Sequence, residues 1–592
     1  MNKVWQIAPR AREEFFKKFP EYDRVVLQLL YNRNLRESEA IELFLHGRYE
    51  DNFDPFLFNK MAEAIDLTIE HIKRGDKICV YGDYDADGMT ASALLYEVLT
   101  TLRADCFVYI PDRSSEGYGL HREAIDKAIK HGAKLLITVD GGIRNNKEIA
   151  YAQERGLKII ITDHHTPPEN IADLPACLII NAHLKSEKYP FKFLAGVGVA
   201  FKFSQALIEK SKLTAEQKKK VLEKTLDLVA IGTVADCVTL LGENRLLLKK
   251  GLETLNETKR IGLKELMKIA KIDGKKMEAW NIGFQIGPRL NASSRMGSAG
   301  NAYNLLTTRD KAEAEKEAEL LNERNQRRQQ ETEEIVAEVE EQIKNQLDEK
   351  IIIGVCQEKT KIWNEGIVGL VAGKITEKYY KPSLIITKAE KGLKGSGRSI
   401  AEFNLFEAME EAGDLLGNHG GHPMACGFNL TGSNLQAFSE KIRKIAKREL
   451  GEINLEPKLK IDCDLPFEEL SRSLYREIKK IGPFGQHNPE PKFISEKLEI
   501  RDITKMGLNA QHIKFRVSGA GGRANAIWGI GFNHGVDWGD FKIGDLVDAV
   551  YTLDENEFNG NTTLQLKLID LKLHGSEMIK KAHWEPSEVY LE

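Results

Sequence analysis

Three times between residues 77 and 165, a short run of β-branched and aliphatic residues ends abruptly in acid. KICVYG precedes DYDADG (83–88), KLLITV precedes Asp140, and LKIIIT precedes the triplet Asp163, His164, His165. Runs of this length and composition read as strands buried on both faces. Two further strands are expected in CFVYIP (106–111) and ACLIIN (176–181). The stretches between them, MTASALLYEVLTTL, HREAIDKAIKHG and NNKEIAYAQERG, have helical spacing. Strands alternating with helices of this length build a parallel sheet from βαβ units. Ligands of such a sheet bind beyond the carboxyl ends of its strands, so the three acidic clusters are expected on one rim. A fourth acid, Asp236, ends the helix-like apolar stretch VAIGTVA.

Six segments are expected along the chain. Residues 1–60 read as a helical preface, and 61–305 as the parallel-sheet domain with helices following it. Residues 306–348 carry DKAEAEKEAELLNERNQRRQQETEEIVAEVEEQIKNQ, with neither Pro nor Gly, and read as one long helix, mainly a solvated spacer. A second, smaller α/β domain is expected over 349–452. The shorter strands of 453–573 suggest a small β-barrel, and 574–592 reads as a tail.

Composition narrows the class. Over 592 residues, 42% hydrophobic and 29% charged residues provide for several cores and exclude global disorder. The net charge of −4 does not advertise a nucleic-acid binder, but a basic patch is compatible with it. The seven cysteines include no CxxC pair, which speaks against a zinc ribbon or a disulfide framework and for a reducing, cytoplasmic setting. The start lacks the apolar core of a signal peptide, and no apolar run approaches the roughly 20 residues of a membrane span. No membrane partner is expected.

Carboxylates that converge repel one another unless a cation lies between them. Oxygen donors with one or two imidazoles suit Mn²⁺ or Mg²⁺, and paired ions of this kind serve in-line displacement at phosphorus. A calcium loop is the alternative for DYDADG, but the twelfth position from Asp83 is Leu94, not an acid. The triplet at 163–165 alone could equally be a helix cap; the joint pattern is what is specific.

DYDADG, TVDGG (138–142), TDHH (162–165) and GTVADCV (232–238), in this order, resemble the first four motifs of the DHH phosphoesterase superfamily. QIGPRLNASSRMG (285–297) is similar to a segment of its single-strand exonuclease branch. WNEGIVGLVAGKI (363–375), GSGRS (395–399) and GNHGGHPMACGF (417–428) resemble the companion DHHA1 domain, and GPFGQHNPEPKF (482–493) the lead into the family's OB domain. The resemblance runs from about residue 70 to 570. It implies an α/β fold: a parallel-sheet DHH domain and a smaller DHHA1 domain joined by a long helix, plus an OB-type barrel.

The function implied is metal-dependent 5′→3′ hydrolysis of single-stranded DNA to mononucleotides in recombination and repair, with two divalent cations, Mn²⁺ or Mg²⁺. The substrate implied is single-stranded DNA with a 5′ end, and a single-strand-binding protein and a helicase are the protein partners to expect. The cation ligands implied are Asp85, Asp87, Asp140, His164 and Asp236, with Asp140 bridging. Asp83 and His165 would stand beside them, His165 near the scissile phosphate, and His422 would add a donor next to Gly420 and Gly421. A pocket for the 5′-phosphate would use Arg113, Arg295, Ser396 and Arg398, with Tyr118 stacking on a base. Phe484 and Phe493 read as packing residues.

Two departures stand out: Asn364 replaces the family's usual His, and Cys426 a usual Ala. Related phosphodiesterases of oligonucleotides or cyclic dinucleotides are the alternative, but they typically lack the barrel and the 285–297 segment. A non-catalytic scaffold would have lost acids that are all present here.

Overall fold

The computed structural model describes residues 3–113, 115–117, 119–357, 362–519, 526–558, 560–576 and 581–583. Five parallel strands form the first sheet, in the order Cys106–Tyr109, Lys77–Tyr81, Ala133–Val139, Lys158–Thr162, Leu178–Ile180. The chain leaves Lys77–Tyr81 toward one side of the sheet and returns on the other side at Ala133–Val139. The crevice between these two strands is the switch point where such sheets bind ligands. Asp83 and Asp140 follow those two strands directly. Helices Ala86–Thr101, Gly196–Glu209 and Leu226–Ala235 pack over one face. The buried core there includes Ile78, Val80, Leu94, Leu135, Ile137, Val199 and Val229.

The helix Lys311–Gln342 spans the middle of the expected 306–348 segment, with Asp310 accepting from the Glu313 amide at its start. It is more than a solvated spacer. Ala318 and Leu321 are buried in the core of the first domain, and Ile335 and Val339 in that of the second. The second sheet runs His419–His422, Ala425–Leu430, Leu393–Arg398, Ser383–Lys388, Ile352–Val355, and only its last pair is parallel.

A closed five-stranded barrel follows. Phe493–Met506, His512–Gly519, Ile527–Gly531, Asn561–Leu573 and Leu546–Phe558 pair in that order, and Leu546–Phe558 closes back on Phe493–Met506. Phe493 is buried in it and Phe484 packs against it, as expected of packing residues.

The N-terminal segment is not helical throughout, nor does it stand apart. Val4–Ile7 is a strand between Lys458–Ile461 and Lys581–His583, so part of the expected tail also belongs to a sheet. Leu27, Leu29 and Leu30, from the N-terminal helix Arg24–Asn32, share one core with Leu465, Phe515 and Tyr551 of the barrel region. Arg245, 1% exposed, ties three segments together. Its guanidinium donates to the carbonyls of Phe44, Ile481 and Lys480.

Candidate metal centre and its arginine rim

Asp85 starts the helix Ala86–Thr101 by capping it: Oδ1 accepts from the amides of Asp87 (2.9 Å) and Gly88 (3.0 Å). Asp85 also offers a carboxylate oxygen in one group, within 4.8 Å, with those of Asp83 and Asp140. Asp87 is fully buried and accepts from the amides of Gly196 (2.7 Å) and Val197 (2.9 Å), in the first turn of the helix Gly196–Glu209, whose positive end favours an anion. This close approach requires glycines. A Cβ on Gly196 would stand 2.5 Å from Asp140 Oδ1, and one on Gly232 2.6 Å from Asp87 Oδ1.

Asp140 ends its strand with φ 58°, a left-handed conformation that costs a non-glycine residue energy and is concentrated at functional sites. Its Oδ1 lies 3.1 Å from His164 Nε2, which in turn lies 3.6 Å from Asp236 Oδ2. Asp236 reaches the cluster from the end of helix Leu226–Ala235. Three groups of donors each fall within 4.8 Å: Asp83, Asp85, Asp140; Asp140, His164, His165; and Asp87, His164, Asp236. Asp140 and His164 each belong to two groups, the property expected of ligands at the centre of a site for adjacent ions.

The electrostatics call for a cation. Burial, and then the charge of Asp85, pushes Asp83 up to about 8 and Asp87 to about 7. Burial, followed by Asp87, pushes Asp236 up to about 9, and Asp140 is raised as well, by burial and all four neighbouring acids. Burial and then His165 hold His164 down to about 4, so its imidazole is neutral at pH 7 and free to coordinate. Asp83 Oδ1, Asp140 Oδ1 and His164 Nε2 are buried without a hydrogen-bond partner. Such atoms are costly unless something satisfies them. Oxygen donors with one neutral imidazole fit Mn²⁺ or Mg²⁺.

Asp163 has a role that its place in the triplet does not reveal. Fully buried, it accepts from the amides of Ile143, His164 and His165 and from His165 Nδ1 at 2.8 Å. Burial acts to raise its pKa, but the His165 hydrogen bond and charge outweigh it and hold Asp163 ionised. It therefore fixes the His165 ring. Asn291, within the 285–297 segment, plays a similar part: its Oδ1 accepts from the Ala86 amide at 2.8 Å and so braces the DYDADG loop.

Arginines rim the cluster. Arg113 lies over the Tyr84 ring at 4.9 Å, and Arg295 donates to the Gly366 carbonyl at 2.7 Å across the domain boundary. Arg398 donates to Gly397 O and to Ser396 Oγ. Burial, then the charges of Arg113, Arg328 and Arg398, lowers Arg295 to about 10. Arg113, Arg295, Ser396 and Arg398 are thus brought together from both domains, and Asp85 acts on the same guanidinium. His422, Gly420 and Gly421 lie exposed on the edge strand, and strand register relates His422 through Ala425 to Arg398. Asn364 builds the turn that holds Arg295: its Oδ1 accepts from the Gly366 amide at 2.8 Å, a task that needs no titratable group. Cys426 is buried, as its replacement of a small residue suggests. Tyr118 lies outside the described residues.

A switch-point cluster of carboxylates and imidazole, joined by a long helix to a second α/β domain, defines a DHH-type phosphoesterase. Residues 77–233 match the DHH family, N-terminal domain; 348–448 match the DHHA1 domain; and 461–570 match the RecJ OB domain. The single-stranded-DNA-specific exonuclease RecJ of Bacillus subtilis is 37% identical over 92% of this chain and 67% of its own. That of Salmonella typhimurium is 34% identical over 96% of this chain and 100% of its own. Among solved structures, RecJ of Thermus thermophilus in complex with Mn²⁺ aligns with TM-score 0.79 at 28% identity, covering 97% of this chain and 80% of that one; a Mg²⁺ complex aligns at 0.76 and 27%, covering 97% and 79%. The chain belongs to the RecJ family.

Proposed function

We propose that this chain is a divalent-cation-dependent exonuclease that degrades single-stranded DNA from the 5′ end to mononucleotides, in recombination and repair. The observation that carries the reading is the set of overlapping donor groups around Asp140 and His164, set beside arginines from two domains. Asp85, Asp87, Asp140, His164 and Asp236 would hold the cations, with Asp140 shared between them. When bound, the cations supply Lewis acidity at the scissile phosphate and a water nucleophile near neutral pH.

The protein's own groups do the rest. Asp163 orients His165 toward the phosphate, and Asp83 completes the acidic wall. The helix amides of Gly196 and Val197 fix Asp87. Arg113, Arg295, Ser396 and Arg398 would receive the terminal 5′-phosphate, because guanidinium forks match its extra charge. His422, with Gly420 and Gly421, would close on the substrate from the second domain. The barrel would hold the strand beyond the site.

Relatives named as single-strand-specific, together with an OB domain, support unpaired DNA as substrate. A helicase or a single-strand-binding protein is the class of partner that would supply such ends. Free cysteines throughout suit the reducing cytoplasm, and no helix among the described residues is long and apolar enough to cross a membrane.

The test is hydrolysis of end-labelled single- and double-stranded DNA with Mn²⁺, with Mg²⁺ and with chelator. Mononucleotide release from single strands only, abolished by chelation, is expected. Equal attack on duplexes, or turnover in chelator, would overturn the reading.

A further inference from the structure

Trp280 and Phe284 have no part in the site described above, and no motif of the sequence includes them. They belong to the short helix Ala279–Asn281 and the single π-helical turn Ile282–Ile286 that runs directly into the arginine-bearing helix Gly287–Met296. Single π turns inside α-helices are frequent at functional sites. Ile282 and Ile286 of this turn are fully buried, whereas Trp280 is 54% and Phe284 67% exposed. Their ring centroids lie 5.3 Å apart with the planes at 24°, so they stack as one exposed aromatic surface.

The π turn is anchored against the metal centre. A Cβ on Gly283 would touch Val234, and one on Gly287 would touch Ala235. Both neighbours belong to the last turn of the helix that Asp236 caps. From there the helix Gly287–Met296 passes Asn291, which holds Ala86, and carries Arg295 in its last turn. One continuous helical path therefore runs from the aromatic pair, past the acids, to the arginine rim. From Phe284 to Arg295 it spans roughly 16 Å at 1.5 Å per residue, a length of a few nucleotides.

Unneutralised positive charge lies along the same path. Arg289 donates to Gln285 O (2.8 Å) and Asn322 Oδ1 (3.1 Å). Arg328, on the long helix, has a buried Nε with no hydrogen-bond partner. Neither arginine has a carboxylate partner among the described residues. Exposed rings flanked by arginines free to take phosphates are the combination that binds unpaired bases on a continuous backbone.

We propose that Trp280 and Phe284 form a base-stacking platform for the strand on the 3′ side of the scissile bond, with Arg289 and Arg328 taking the phosphates between. The proposal rests on the reading that the 5′-phosphate sits at Arg295, which directs the rest of the strand toward Asp236 and the aromatic pair. It also supplies a reason for single-strand preference, since a base within a duplex has both faces already stacked.

The experiment uses the full chain with Mn²⁺. Trp280→Ala/Phe284→Ala and wild type are compared on a long 5′-phosphorylated single strand and on a set of strands carrying one abasic site at successive positions. Loss of one stacked base should raise KM about tenfold in the wild type at one or two positions 3′ of the first bond. The double variant should show the raised KM on the intact strand and no further rise at those positions. Its melting temperature and Mn²⁺-induced shift, compared with wild type, report on folding. An unchanged KM in the folded variant, or an abasic effect as large in the variant as in the wild type, overturns the proposal. Wild-type cleavage of a 5′-phosphorylated dinucleotide, too short to reach the platform, separates the two readings: if that fails too, the nuclease assignment itself falls.

Discussion

His164 Nε2 and Asp140 Oδ1 lie 3.1 Å apart, both buried, and neither has a hydrogen-bond partner. Two such atoms are held together at a cost unless an ion takes both. Asp140→Asn keeps the size of the side chain and removes the charge common to two donor groups. We expect the variant to lose the Mn²⁺-induced rise in melting temperature and to lose hydrolysis by at least about a thousandfold, on the scale of losing a principal electrostatic contact. Differential scanning calorimetry with and without Mn²⁺, alongside turnover, checks both.

The raised acids set a pH dependence. Asp83, Asp87 and Asp236, at about 8, 7 and 9, bind more protons in the folded than in the unfolded state above the ordinary carboxylate range. Stability of the cation-free protein should therefore fall as pH rises from about 5 to about 9. Mn²⁺ competes with those protons, so its stabilisation should be larger at the upper end of that window. Melting curves across it, with chelator and with Mn²⁺, provide the check; a cation-free stability that climbs with pH would contradict the cluster's electrostatics.

Asp163 touches no expected cation and yet fixes His165 through Nδ1 at 2.8 Å. Asp163→Asn keeps one acceptor oxygen, enough for the His164 and His165 side or for the Ile143 amide but not for both, and loses the charge that orients the ring. We expect kcat to fall about 10–100-fold, the usual cost of losing such a supporting partner, while KM for the strand changes little. Equal losses in kcat and in thermal stability would indicate a purely structural role.

Arg398 should matter most when the 5′ end is phosphorylated. Arg398→Ala should cost about 1.5–3 kcal/mol in kcat/KM on 5′-phosphorylated strands and much less on 5′-hydroxyl strands. An equal loss on both would assign Arg398 to the fold or to the scissile diester.

The barrel and the N-terminal helices share a core, so deleting the barrel would strip the apolar face of Arg24–Asn32. Leu29, 0% exposed within that core, offers a gentler probe. Leu29→Ala should destabilise this unit by about 2–5 kcal/mol and raise KM on long strands at elevated temperature, while short-strand turnover, carried by ligands between Asp85 and Asp236, persists. Two-step melting of the variant would show the uncoupling.

The parts of this molecule that could be read in the sequence are those whose physics is local. A strand ending in acid places Asp83, Asp140 and His164 by strand geometry alone, and Asp236 follows from an apolar helix ending in a carboxylate. The inward turn of Asp163 was hidden, because three consecutive polar residues after a strand do not reveal which one the chain buries. The union of the N-terminal segment, strand and helices alike, with the barrel region was hidden as well. It depends on pairings such as Trp5 Nε1 with Asp570 Oδ2 at 2.7 Å, across nearly the whole chain. In the sequence Asn364 shows only as a missing titratable group; its part in the turn at Gly366 is a property of the fold. The long helix reads as solvated because its buried apolar positions are few and thinly spaced, and several of the residues it buries, Glu317, Asn325, Glu331 and Thr332, are polar or charged.

Strand polarity is read by giving the wild-type chain, with Mn²⁺ and with substrate in excess of enzyme, one strand labelled at the 5′ end and an identical strand labelled at the 3′ end. The 5′ label should appear at once and only as mononucleotide, while the 3′-labelled strand shortens through a descending ladder. A ladder from the 5′ label, or mononucleotide first from the 3′ label, would contradict the placement of the strand's 5′ end among Arg113, Arg295 and Arg398.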